Sequence, residues 1–73
     1  MRQMEIEISH ILKTTGEANL LQLRKFDDYD LVAVVDNHVS KSLRARLERR
    51  IKLQFNDKYK LDFVVQKENQ EQP

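Results

Sequence analysis

Apolar positions recur along this chain in two rhythms. Near the start, Met4, Ile8, Ile11 and Leu12 fall at i, i+4, i+7 and i+8, one face of an α-helix. Met4, Ile6 and Ile8 also alternate as a strand would, so residues 4–12 admit a second reading. A helix over 3–14 is preferred. The run is long, its residues are good helix formers, and Gly16 stands where a left-handed C-terminal cap belongs. Residues 18–26 and 31–36 then read as two strands, separated by the turn-forming cluster Asp27-Asp28-Tyr29-Asp30. So short a connection predicts an antiparallel hairpin. Leu43, Leu47, Ile51 and Phe55 restore the helical spacing over 40–55, with Asn37 or Ser40 as the N-terminal cap. Tyr59, Leu61, Phe63 and Val65 alternate with mostly polar neighbours, a final strand over 59–65.

The order is helix, strand, strand, helix, strand. Both helices are expected on one face of a three-stranded antiparallel or mixed sheet, with the last strand beside the first. This is a two-layer α+β fold of αββαβ order, ferredoxin-like without its first strand. The alternative is βββαβ, should residues 4–12 form a strand. Residues 1–65 make a single domain. Residues 66–73 are polar without an apolar anchor, and read as a disordered tail.

Alternation leaves large apolar groups on the sheet's second face. The side bearing Leu20, Phe26, Leu31, Val35 and Val64 is read as the outer one. A sheet face that meets only water usually alternates more cleanly, and contiguous apolar surface marks interaction sites. The expectation is that this face packs on a second copy or on another protein. In that reading Val35→Lys changes the molecular mass or the solubility.

Composition narrows the function. The chain has 73 residues, enough for one small core. Without cysteine it has no disulfide, thiolate metal site or cysteine nucleophile. Thirteen basic residues against twelve acidic ones leave a net charge of +1, weak steering toward nucleic acid. The longest apolar run, Leu31 to Val35, is far short of the roughly 20 residues a membrane span needs. Charge at Arg2 and Glu5 argues against a signal peptide, so a cytoplasmic location is expected.

Charge does gather on the second helix. Lys41, Arg46, Arg49, Arg50 and Lys52 spread over the arc opposite the leucine stripe, and Arg44 sits at its edge. Such a face contacts phosphates or an acidic partner, or is simply solvated; nucleic-acid binding is the competing functional reading. No aromatic interleaving supports base stacking.

The remaining constellations are incomplete. Asp27, Asp28 and Asp30 lack the glycine and terminal glutamate of a calcium loop. Glu7 with His10, and Asp36 with His38, offer two metal ligands where zinc wants three or four. Ser9, Ser40 and Ser42 have no glycine-framed elbow. The expectation is therefore a non-enzymatic module with no catalytic residue, no metal site and no cofactor.

Two families look similar at the level of pattern. Leu23-Arg24, Val34-Val35-Asp36, a helix opened by Ser40 and a closing strand resemble the cytoplasmic domain of cation diffusion facilitator transporters. That family carries metal-binding histidines in its second helix and last strand. The matching places here, Ser42-Leu43-Arg44 and Phe63-Val64-Val65-Gln66, hold none. Glu7 through Leu12 is similar to the opening helix of the C-terminal domain of phenylacetate-CoA-ligase-like enzymes, whose later lysine-bearing segment is missing. Either resemblance implies an accessory domain of a transporter or adenylating ligase, one that docks, dimerises or regulates.

Overall fold

The computed structural model describes residues 2–66. Five elements follow in the order α1 (Arg2–Thr15), β1 (Leu20–Lys25), β2 (Asp30–Val35), α2 (Lys41–Gln54) and β3 (Lys60–Val65). This is the two-layer αββαβ fold the periodicity predicts, and the four-strand alternative does not arise. Residues 67–73 of the proposed tail lie outside the described residues. Gln66 itself donates its N–H to Val35 O at 2.8 Å, one rung beyond β3.

The amphipathic stripe of α1 buries Met4, Ile8, Ile11 and Leu12, and leaves Ile6 exposed off the stripe. Gly16 ends the helix at φ +73°, a left-handed conformation that side chains resist. From there its N–H reaches Leu12 O at 3.0 Å and Lys13 O at 3.2 Å, carbonyls the helix leaves unpaired. The second helix starts at Ser40, whose Oγ accepts from Leu43 N–H. That hydroxyl also donates to Glu17 Oε2, and Ser40 N–H donates to Glu17 Oε1. Glu17 thus ties the α1–β1 connection to the start of α2. Leu43, Leu47 and Ile51 are buried beneath α2, while Phe55 caps its end, partly exposed.

Both helices pack on one sheet face. Their buried residues form a single core with Leu23, Leu31, Ala33, Val35 and Leu61. The strand order is β1-β2-β3, with β1 and β2 antiparallel and β2 and β3 parallel. The last strand therefore lies beside β2 and not, as expected, beside β1. The cause is topological: the α2 crossover returns the chain parallel to the strand it left, and that edge of β2 is vacant.

Polar groups finish the sheet's edge and ends. Lys60 N–H and Gln66 N–H point to β2, so by parity the odd-numbered residues of β3 turn their amides outward. Glu48 of α2 reaches over and accepts from Leu61 N–H at 3.0 Å, shielding part of an edge that is otherwise open to pairing. At the far end of β2 the Asp36 carboxylate accepts from Asn19 N–H at 2.8 Å and Asn19 Nδ2 at 2.9 Å. These bonds, the backbone one foremost, hold its pKa below the ordinary 3.8. A carboxylate with a depressed folded pKa stabilises fully above its unfolded value and loses that contribution as pH falls through the folded one. Asp36→Asn is expected to melt below the wild type near pH 7. The gap should close as pH falls below 3.8, and parallel melting curves across that range would contradict this role.

Candidate protein-interaction face

None of the described helices covers the second face of the sheet. Its composition follows from the register, which aligns Arg24 with Val32 and Val32 with Asp62, then Gln22 with Val34 and Val34 with Val64. The central strand supplies the two valines, 7 % and 6 % exposed although neither belongs to the helix-facing core. Flanking side chains on β1 and β3 shelter them. Val64 is 50 % exposed, and Phe26 at the hairpin end 67 %. The Arg24 guanidinium lies over the Phe26 ring, 5.7 Å from its centroid, which places both on this face.

Of the five residues expected here, Phe26 and Val64 stand on the open face. Leu31 and Val35 do not: they are 1 % and 0 % exposed and belong to the core beneath the helices. The reason lies in the hairpin. Phe26 N–H donates to Asp30 O at 2.8 Å, so the loop holds three residues, Asp27 to Tyr29, and β2 begins at Asp30. A four-residue loop would pair Phe26 with Leu31; the one-residue slip moves every β2 side chain to the opposite face. Leu20 is also corrected, since it packs partly buried against the core. The pairing shifts between Leu20 and Gln22, and this irregularity carries Leu20 to the helix side. Val32 and Val34, assigned inward by the sequence reading, take the vacated positions outside.

The basic side of α2 is less free than its sequence suggests. Arg50 pairs with Glu7 of α1 at 2.7 Å. Lys52 Nζ donates to Tyr59 O at 2.6 Å and Asp57 O at 3.1 Å, bracing the turn into β3. Lys41, Arg46 and Arg49 remain exposed, without such partners among the described residues. Arg44 is half-buried and its Nε lacks a hydrogen-bond partner among the described residues, next to a groove shared with Lys41, Glu48 and Phe63. A second groove, of about 460 Å³, runs between α1 and β1 along Ile6, Leu20 and Leu21.

Three of the candidate metal ligands, Glu7, Asp27 and Asp36, have structural partners. Asp27 Oδ1 accepts from Asp28 N–H within the turn, and Asp36 is committed to Asn19. Among the described residues no three His, Cys, Asp or Glu side chains gather as a metal site, and no polar or charged residue is buried. None of the described helices is long and apolar enough to cross a membrane. Compared with protein-family models, with curated proteins and with solved structures, the chain matches none.

Proposed function

We propose that this chain is a non-enzymatic association module, and that the helix-free sheet face is its docking surface. The observation that carries the reading is a sheet face without a helix among the described residues, on which Phe26 and Val64 stand exposed beside the sheltered Val32 and Val34. A lone sheet face in water tends to alternate toward polar residues, whereas an association surface concentrates apolar groups within a polar surround. Here Gln22, Arg24 and Asp62 supply that surround. The absence of buried ionisable groups among the described residues supports a role without catalysis, because acid–base chemistry depends on groups tuned by burial or by close charges. The lowered pKa of Asp36 has a structural cause, a tie between two chain segments.

Val64→Lys tests the surface. Val64 contributes nothing to the helix-facing core and is half exposed, so the variant should keep the wild-type circular dichroism and melting curve. Its mass by light scattering should fall to that of a monomer while the wild type is heavier. An unchanged mass in the variant would remove this face from the association.

A further inference from the structure

The open face carries its charges in an arrangement that selects a partner and an orientation. One row across the sheet reads Arg24, Val32, Asp62: a cation on β1, an apolar residue on β2, an anion on β3. The two charges stand on strands two spacings apart, roughly 10 Å. Neither has an ion-pair partner among the described residues. A surface with opposite charges at equal distances on either side of an apolar centre is complementary to itself.

Resting on the reading of this face as an association surface, we propose that its occupant is a second copy of the chain. The two sheets face each other about a twofold axis running nearly along β2. That rotation lays β1 of one protomer over β3 of its partner and keeps each row opposite itself. Val32 and Val34, sheltered by their flanking side chains, then lie behind the centre of the contact. Arg24 of each protomer meets the aspartate at position 62 of the other, giving two equivalent ion pairs. Aligned sheets pack about 10 Å apart, a gap that an arginine and an aspartate side chain span together. At the hairpin end Phe26 comes opposite the lysine at position 60, a cation over an aromatic ring. Asp30 faces its own mate there, with Lys60 beside it in the same sheet to offset the repulsion.

The other face-to-face symmetry, an axis across the strands through Val32, sets Arg24 against its own copy and Asp62 against its own copy. Like charges in contact at an interface oppose association, so the row discriminates between the two arrangements. Isologous contact also closes at two protomers and does not propagate into a fibre.

Charge exchange tests this geometry on the full chain. Arg24→Asp and Asp62→Arg each convert two opposite-charge contacts into two like-charge contacts, and each should raise the dimer dissociation constant at least about tenfold. The double variant restores both pairs with their signs reversed, and should return to within about threefold of the wild type. Mixing the two single variants should also restore a dimer, because one then carries both acids and the other both bases. Recovery in the mixture shows at the same time that neither variant is misfolded. The proposal is overturned if the wild type dimerises and the single variants bind as tightly as it does. Single variants that weaken without recovery in either the double variant or the mixture overturn it as well. A wild type that stays monomeric contradicts the self-association underneath it, a result distinct from either of these.

Discussion

Val35→Lys is expected to abolish the cooperative thermal transition of this domain. Val35 lies on the central strand, 0 % exposed, beneath both helices. A lysine there must bury its ammonium without a partner, give up its proton, or force the layers apart, and each route costs several kcal/mol. A chain of this size has only roughly 4–11 kcal/mol of total stability to set against that cost. Circular dichroism should show lost helix signal at room temperature, and the melt should lose its sigmoid. A variant that folds normally and differs only in its association state would return Val35 to the outer face and undo the register described above.

Leu47→Ala is expected to have the next largest effect. Leu47 is 0 % exposed at the middle of the α2 stripe, one helical turn from Leu43 and Ile51. Truncation forfeits the transfer free energy of the removed atoms and leaves a cavity, together costing about 2–5 kcal/mol. At about 4–8 °C per kcal/mol for a domain of this length, the midpoint should fall by at least about 8 °C. Leu53 on the same helix provides the contrast. It is 78 % exposed, and its alanine variant should stay within about 0.5 kcal/mol of the wild type. Equal losses at the two positions would mean that α2 is rotated from the orientation described.

The contrast between these leucines is legible in the sequence. The spacing of Leu43, Leu47 and Ile51 fixes the buried stripe of α2, and Leu53 falls outside it. The α1 stripe, its glycine cap and the Ser40 cap were equally readable, because each depends on residues within a turn or two of one another.

What was not legible depends on counting across a turn. Two aspartates, a tyrosine and a further aspartate admit a three- or a four-residue loop, and composition does not choose between them. Since side chains alternate with a period of two, that single residue decides whether Leu31 and Val35 or Val32 and Val34 face the helices. One signal was available. Ala33 is the smallest side chain of β2, and it fits where two helices crowd the strand; it is 0 % exposed. Placing Ala33 inward takes Leu31 and Val35 with it. The bulge near Leu21 left no comparable trace. The basic helix misled for a related reason, because the partners that occupy Arg50 and Lys52 come from distant segments, Glu7 and the turn before β3.

The central claim is that the exposed face of the sheet is an interface. Its most direct test is the solution mass of the wild-type chain, by light scattering on a size-exclusion column over a concentration series. The account predicts a mass that rises toward twice the 8.7 kDa of the single chain and falls to the monomer in Val64→Lys. A wild type that remains monomeric at every concentration would contradict self-association through this face.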